Sequence, residues 1–287
     1  MVRVAIAGCS GRMGQSLIAT LVDGASGAAD HGSSPRLVLA AVSERAGHPW
    51  VGQPCPTPVA IPREAIVDDE SRRVVADLRE AGSFDVLIDF THPIALSSHL
   101  EVCAARRARL VLGTTGLSAE QEQALAAFAT KTPVVHAPNM GVGTNLLFHL
   151  ARVAAEALGD SVDVEVIEAH HRHKVDAPSG TALKLGRIVA QATGRQIEDC
   201  AVFGREGQTG ARDRATIGFA TIRAGDIVGE HTVMFATDGE RIELTHRASA
   251  RSVFALGALR AARWIASKSE PGLFDMLDVL NLRATSG

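Results

Sequence analysis

The sequence predicts an α/β protein with a doubly wound parallel sheet and a second α+β domain whose sheet is mostly antiparallel or mixed. Three observations favour this fold class. The chain has 287 residues and so exceeds one average domain. Short apolar runs alternate with helical patterns as far as about residue 141. Beyond that point, strand-like runs dominate.

The first turn of the chain carries a glycine pattern. Residues 2–7 are a continuous apolar run, typical of a strand buried on both faces, and a helical pattern follows the glycines. This order is the setting of a Rossmann-type dinucleotide-binding fold. Gly8 permits the tight turn, Gly11 lets backbone N–H groups approach a pyrophosphate, and Gly14 lets the helix pack closely. Because Ser10 occupies the middle position, the pattern departs from strict G-x-G-x-x-G, and a plain glycine-rich turn stays open.

The second predicted strand, residues 37–43, ends at two charged residues. A dinucleotide fold places at this point the residues that contact the adenosine ribose. Glu44 can accept from the ribose hydroxyls of NAD, and Arg45 can pair with the extra phosphate of NADP. An exposed charged turn is the alternative. The Gly-, Ala- and Ser-rich residues 24–35 predict an inserted loop before this strand.

Further strand and helix pairs complete the predicted parallel sheet. Strands are predicted at residues 84–90, 110–112 and 134–135, with helices starting at 94, 118 and about 143. Ligand-side loops follow the carboxyl ends of such strands. The loops at 89–93, 113–116 and 137–143 are therefore predicted to line a nicotinamide crevice, although plain turns would also explain their glycines.

Residues 168–183 carry the densest chemistry in the chain. Three histidines and Lys174 precede a Pro-Ser-Gly-Thr turn at 178–181, which opens a helical run over 182–192. Free N–H groups and the positive dipole end of a helix N-terminus favour a bound anion, and Lys174 lies nearby in sequence. The segment therefore predicts a site for a small carboxylate or phosphate.

Two other interpretations of the histidines were weighed. They are a solvated surface loop and a zinc site. Zinc is disfavoured because His170 and His171 would point to opposite sides on leaving a strand, and no cysteine or carboxylate pattern completes a ligand set. No metal is expected.

The second half of the chain predicts a separate domain. Strand-like runs occur at 162–169, 216–223, 230–236 and 241–246, and Asp238-Gly239 predicts a short hairpin turn between the last two. The helical run 252–265 and the tail 272–277 are expected to return to the first domain. The expected domains are therefore 1–141 with 251–287, and 142–250.

Composition excludes several classes of function. The net charge is −3 with no basic block, so nucleic acid has no evident footprint. No apolar run is long enough to span a bilayer, and no signal-peptide pattern opens the chain, which favours a cytoplasmic protein. The four cysteines lack C-x-x-C spacing and are expected to be reduced. Because the chain has no tyrosine, a proton donor must be a histidine, a lysine or an acidic residue.

Taken together, these strings resemble the 4-hydroxy-tetrahydrodipicolinate reductase (dihydrodipicolinate reductase) family of the diaminopimelate route to lysine. The resemblance covers nearly the whole chain. It rests on G-x-x-G-R-M-G at 8–14, Asp-Phe-Thr at 89–91, Gly-Thr-Thr-Gly at 113–116, the run 168–183, the run 223–231 and Thr-His at 245–246. Ser10, where many members have glycine, and the long 24–35 segment depart from the family pattern.

The resemblance implies a reaction and a set of roles. The reaction is reduction of 4-hydroxy-tetrahydrodipicolinate to tetrahydrodipicolinate by hydride from NADPH or NADH. His170 would donate and accept a proton, and Lys174 would be a second proton donor and carboxylate contact. The substrate contacts would be His171, Ser179, Gly180 and Thr181. The nucleotide contacts would be Gly8, Cys9, Ser10, Gly11, Arg12, Met13, Glu44, Arg45, Gly113, Thr114, Thr115, Ala137, Pro138, Asn139 and Met140.

The family also implies that domain 142–250 binds the substrate and builds a homotetramer through its sheet. Two rival functions were weighed. One is another nicotinamide-dependent dehydrogenase of an imino or amino acid, since a fold does not fix a function. The other is a sensor that binds the dinucleotide without turnover. The cluster from Lys174 to Thr181 favours a small dicarboxylate substrate, and the missing basic element argues against a regulator of nucleic acid.

Overall fold

A computed structural model describes residues 1–25, 35–57 and 59–283. The chain divides into two compact units: Met1–Val142 with Ser252–Gly287, and Gly143–Arg251. They are called the first unit and the second unit below. Most of the predicted inserted loop, residues 26–34, lies outside the described residues. No helix in the described ranges is both long and apolar enough to cross a membrane.

The first unit is built on a seven-stranded sheet in which every neighbouring pair is parallel. The strands are β1 Val2–Ala7, β2 Leu37–Ser43, β3 Val74–Val75, β4 Val86–Asp89, β5 Arg109–Leu112, β6 Pro133–His136 and β12 Gly272–Phe274. Their order in the sheet is β12-β6-β5-β4-β1-β2-β3. The helices are α1 Arg12–Ala25, α2 Leu96–Arg106, α3 Ala119–Ala129, α7 Ser252–Ala266 and α8 Met276–Val279.

Strand β1 shows how the parallel sheet is covered on both faces. Val4 and Ile6 pack into the core formed with α1 and α7. Ala5 and Ala7 pack into the core formed with α2 and α3. Alternate side chains of one strand point to opposite faces, so both faces of β1 need apolar residues. Arg3 is the exception in this run, and its guanidinium pairs with Asp85. The predicted doubly wound sheet is confirmed.

Several boundaries differ from the prediction. The helix predicted from residue 94 begins at Leu96, because Pro93–Ala95 forms a 3₁₀ turn capped by the His92 side chain. The predicted strand 84–90 is shorter, at Val86–Asp89. The tail was expected to return to the first domain but not as a strand. It forms β12, which pairs with β6, and α7 packs on α1.

The second unit has a five-stranded mixed sheet. The strands are β7 Asp163–His170, β8 Ala201–Phe203, β9 Ile217–Arg223, β10 Gly229–Thr237 and β11 Glu240–Ala248. Their order is β11-β10-β7-β9-β8. β10 is antiparallel to β7 and β11, whereas β9 is parallel to β7 and β8. The helices are α4 Val142–Leu158, which starts at the boundary of the units, α5 Gly180–Ala192 and α6 Ile197–Cys200.

Helices α4 and α5 cover one face of this sheet. Val164 and Val166 of β7 pack there with Leu147 of α4 and Leu185 of α5. The hairpin turn at Asp238-Gly239 is confirmed, since Thr237 pairs with Glu240. The predicted mixed sheet is confirmed as well. Strand β8 was not predicted because three partly exposed residues give no period of their own.

Candidate active site

The glycine turn ties the start of α1 to the end of β2. Gly8 has φ +70°, a conformation that residues other than glycine rarely adopt. The backbone N–H groups of Gly8 and Cys9 both donate to the Ser43 carbonyl, at 2.9 and 3.1 Å. A Cβ on Gly14 would overlap the Gly8 carbonyl and lie 2.7 Å from the Cys9 Cα. The first turn of α1 therefore sits directly on the loop, which requires glycine at both ends.

Glu44 at the end of β2 is hydrogen-bonded to the glycine turn. Its Oε1 accepts from the Ser10 N–H at 2.9 Å and from the Ser10 hydroxyl at 2.6 Å. Its Oε2 accepts from the Arg45 N–H at 3.1 Å. Burial opposes ionisation, but these bonds outweigh it and hold the pKa of Glu44 below its ordinary value. Sequence reasoning missed this contact because the partners are 34 positions apart.

A cleft of about 440 Å³ lies against this turn. Its lining includes five of the residues predicted to contact the nucleotide, namely Gly8, Ser10, Gly11, Glu44 and Arg45. Thr91, from the predicted ligand-side loop 89–93, also lines it. Asp77, Leu78 and His99 line it as well, and sequence reasoning did not select them. Cys9 is fully buried beneath the turn, and Arg12 and Met13 begin α1.

The other predicted nucleotide contacts lie outside the lining of this cleft. Gly113, Thr114 and Thr115 follow β5, and Ala137, Pro138, Asn139 and Met140 follow β6. Both groups lie at the carboxyl ends of neighbouring parallel strands. The Met140 side chain is fully buried, so it has no side-chain surface for a ligand.

Asp89 joins the loops after β4 and β5. This buried carboxylate accepts from the N–H and hydroxyl of Thr91, at 2.8 and 2.7 Å, and from the Thr114 hydroxyl at 3.1 Å. His99 Nδ1 lies 2.7 Å from its other oxygen. Burial raises the pKa of Asp89, but the bonds from His99 and Thr91 outweigh it and lower the pKa. A Cβ on Gly113 would overlap the Phe90 ring, so the two loops touch.

In the second unit, Glu168 is the centre of a hydrogen-bond network. The residue is 1% exposed near the end of β7. Its two oxygens accept a bidentate pair of bonds from Arg223, both at 2.8 Å, and a bond from the Ser179 N–H at 3.0 Å. His170 Nδ1 lies 2.6 Å from the same carboxylate. Burial opposes ionisation, but these partners lower the pKa of Glu168 to about 2.

The ionised Glu168 fixes the tautomer of His170. A carboxylate only accepts hydrogen bonds, so Nδ1 of His170 must carry a proton. The free nitrogen is therefore Nε2. A Cβ on Gly229 would lie 3.1 Å from Nε2, so the missing side chain leaves this atom uncrowded. Burial lowers the pKa of His170, and the positive charges of Lys174 and Arg223 lower it further. The hydrogen bond and the negative charge of Glu168 raise this pKa but do not outweigh burial.

Ser179 caps helix α5 and contacts a second buried imidazole. Its hydroxyl accepts from the Ala182 N–H at 3.1 Å and lies 2.8 Å from His231 Nε2. Burial, and then the charge of His170, lowers the pKa of His231 to about 3. The rings of His170 and His231 meet edge to face at 5.1 Å between centroids. Sequence reasoning gave His231 no role, since it lies 52 positions from Ser179.

The remaining predicted residues surround the start of α5. Lys174 pairs with Asp176 at 2.8 Å. The N–H groups of Gly180 and Thr181 have no acceptor among the described residues, as expected for the first turn of a helix. His171 is partly buried directly after β7. In the part of the chain that the structure describes, no group of three His, Cys, Asp or Glu side chains could hold a metal ion.

Both halves of the chain match the models of one protein family. Residues 2–140 match the family model described as dihydrodipicolinate reductase, N-terminus, and residues 143–280 match the model of its C-terminus. A 4-hydroxy-tetrahydrodipicolinate reductase of Methylococcus capsulatus is 52% identical over 285 residues, covering 99% of each chain. One from Thiobacillus denitrificans is 53% identical over 282 residues, covering 98% of this chain and 99% of the relative.

Solved structures give the same grouping. A dipicolinate-bound dihydrodipicolinate reductase from Paenisporosarcina sp. TG-14 has a TM-score of 0.72 at 26% identity, covering 97% of this chain and 98% of that one. An amine dehydrogenase from Mycobacterium smegmatis shares the fold, with a TM-score of 0.56 at 13% identity and coverage of 95% and 94%. With both halves matched and relatives above 50% identity, the chain belongs to the dihydrodipicolinate reductase family.

Proposed function

We propose that this chain reduces 4-hydroxy-tetrahydrodipicolinate to tetrahydrodipicolinate with hydride from NADH or NADPH, in the diaminopimelate route to lysine. Membership of the family supports the reaction and the cofactors. The structural observation that carries the proposal is the start of α5. There an imidazole with a free Nε2 atom, an ammonium group and free helix N–H groups are all supplied by residues 170–181.

The first unit would hold the nicotinamide nucleotide. Its glycine turn fits a pyrophosphate, because the first turn of α1 offers backbone N–H groups without helical partners, and the absence of a Cβ at Gly14 lets that turn pack directly on the loop. The cleft beside Glu44 and Arg45 would take the adenosine end. When bound, the nicotinamide supplies the hydride. The loops after β5 and β6 would contact its other end.

The second unit would hold the dicarboxylate. The free N–H groups of Gly180 and Thr181 can donate to a substrate carboxylate, and Lys174 adds a positive charge. Ser179 would act differently, because its hydroxyl and N–H already bond to other groups of the protein. We propose that it orders the first turn of α5, while His171 contacts the substrate.

His170 would deliver the proton. Addition of hydride to the unsaturated substrate leaves a site that must be protonated. The Nε2 atom is the available nitrogen, since Nδ1 is held by Glu168. The negative charge of Glu168 stabilises the imidazolium form, so that His170 can take up a proton and pass it on. Lys174 is the second proton source in the same segment.

A coupled assay tests this function. Pyruvate, aspartate semialdehyde and the upstream synthase would generate the substrate in place, and the loss of nicotinamide absorbance would be followed with NADH and then NADPH. We expect a loss that depends on the synthase. If the folded chain binds the nucleotide but shows no such loss, a different imine substrate or a sensor role would replace the proposal.

We also propose that the chain forms a homotetramer in the cytoplasm. Ile167, Ile222 and Met234 share the face of the second sheet that α4 and α5 leave uncovered, and Ile222 is 48% exposed. Apolar side chains that are left exposed on a sheet face favour association. Light scattering after size exclusion should give a fourfold mass, and a monomer would contradict the assembly.

A further inference from the structure

The carboxylate of Glu44 is held in place by hydrogen bonds from the protein itself. Three donors converge on it: the N–H and the hydroxyl of Ser10 on Oε1, and the Arg45 N–H on Oε2. An ionised carboxylate has about four acceptor sites. One site on Oε2 is therefore left for a ligand donor, in the cleft that Ser10 and Glu44 line together.

The two charged residues at this end of the cleft, Glu44 and Arg45, differ in how many hydrogen bonds hold them. Glu44 is partly buried and fixed by its bonds to the glycine turn. Arg45 is exposed, and within the described residues its guanidinium has no hydrogen bond or ion pair. The negative charge of Glu44 is therefore held in place by hydrogen bonds, whereas no partner among the described residues holds the positive charge of Arg45.

The two nicotinamide nucleotides differ at the atom this carboxylate would meet. The 2′-hydroxyl of NADH can donate to the open site on Oε2. The 2′-phosphate of NADPH adds about −1.5 to −2 charges and offers oxygens instead of a donor. To admit it, Glu44 would have to swing away and break both bonds to Ser10, one of them at 2.6 Å.

We propose that Ser10 is a specificity-determining residue, which holds Glu44 against the ribose site and makes the chain prefer NADH to NADPH. Ser10 acts through Glu44 and is thus a positioning residue. The inference rests on the proposed function only in taking the cleft as a nicotinamide nucleotide site. It assigns a role to the residue that departs from the family's glycine pattern.

Direct binding is the first test. The dissociation constants of NADH and NADPH would be measured by calorimetry for the wild type and for Ser10→Ala, with no substrate present. We expect the wild type to favour NADH, and we expect Ser10→Ala to reduce the ratio of the two dissociation constants by about tenfold, the worth of one hydrogen bond to a charged group. Ser16→Ala makes the same chemical change within α1, away from Glu44, and should leave the ratio unchanged.

A double-mutant cycle tests whether Ser10 acts through the carboxylate. Glu44→Gln removes the charge and should relax the preference by itself. In the Glu44→Gln background, Ser10→Ala should then leave the ratio of the two dissociation constants unaltered. An equal effect of Ser10→Ala in both backgrounds would overturn the mechanism, because Ser10 would then contact the nucleotide directly.

The outcomes separate this inference from the proposed function. If folded wild-type protein binds neither nucleotide, both fail. If it binds both and turns over substrate but prefers NADPH, or if Ser10→Ala keeps the wild-type ratio, the reductase function stands and the role of Ser10 is wrong.

Discussion

The candidate site of the first unit is formed mainly by backbone groups, whereas that of the second unit is formed by buried polar side chains. In the first unit the site is mostly backbone, arranged by glycines where a side chain would collide, with Glu44 at the edge of an open cleft. In the second unit, Glu168, His170, Ser179 and His231 are all buried and contact one another. The first site should therefore be sensitive to added atoms, and the second to lost charge.

The largest predicted effect is a loss of stability when the hydrogen-bond network around Glu168 is broken. Glu168→Gln leaves the Arg223 guanidinium without its bidentate carboxylate, and breaking a buried pair costs about 3–5 kcal/mol. Urea denaturation would measure the free energy of unfolding. Glu230→Gln cuts the Glu230–Arg247 pair, which is exposed on the same sheet, and should cost less than about 1 kcal/mol. Equal losses would mean that the second site is no more charge-dependent than the surface.

The proton donor gives the next largest effect. His170→Ala removes the free Nε2 atom, and a positioned acid or base is worth about 10²- to 10⁴-fold in rate, so kcat should fall at least about a hundredfold. Lys174→Ala should lower kcat by at least about tenfold, because it removes the second proton source. Steady-state kinetics on protein with wild-type circular dichroism would measure both.

His173→Ala is the control for these two variants. His173 is exposed on the same loop, and among the described residues its side chain makes one interaction, a ring contact with His171 at 6.2 Å between centroids. Its kcat should stay near the wild-type value. Wild-type kcat in a folded His170→Ala protein would show that the buried network serves stability instead of catalysis.

One added methyl group should break the backbone site of the first unit. The Cβ of Gly14→Ala would overlap the Gly8 carbonyl, and overpacking of this kind costs about 1–3 kcal/mol. The turn must shift, so NADH affinity should fall about tenfold or more by calorimetry. Among the described residues, the Cβ of Gly24→Ala, in the same helix, would meet only Arg263 Nη2 at 3.8 Å, and this variant should bind NADH normally.

The same contrast explains what could be predicted from sequence. The glycine turn and the strands 2–7 and 37–43 were predicted with their observed ends, because each depends on residues that are neighbours in the chain. The contacts of Ser10 with Glu44 and of Glu168 with Arg223 were missed, since each depends on which strands lie side by side. β3 and β12 were missed because two or three residues show no period.

The smallest predicted effect is the dependence of stability on pH that the buried imidazole of His231 causes. The pKa of His231 is lowered to about 3 in the folded state, mainly by burial, against an ordinary value of 6.5. Between these values the unfolded chain binds a proton that the folded protein excludes, so stability is lost as pH falls below about 6.5. Glu168, with its pKa lowered to about 2, acts in the same direction from about 4.5 downward.

One such histidine contributes about 1.4 kcal/mol per pH unit to the slope of stability against pH. Urea denaturation at pH 7, 6 and 5 should show this slope, and His231→Gln should reduce it by about one proton because glutamine does not titrate. A slope in His231→Gln equal to that of the wild type would mean that the buried imidazole does not exclude a proton, and that the second site is as open to solvent as the nucleotide cleft.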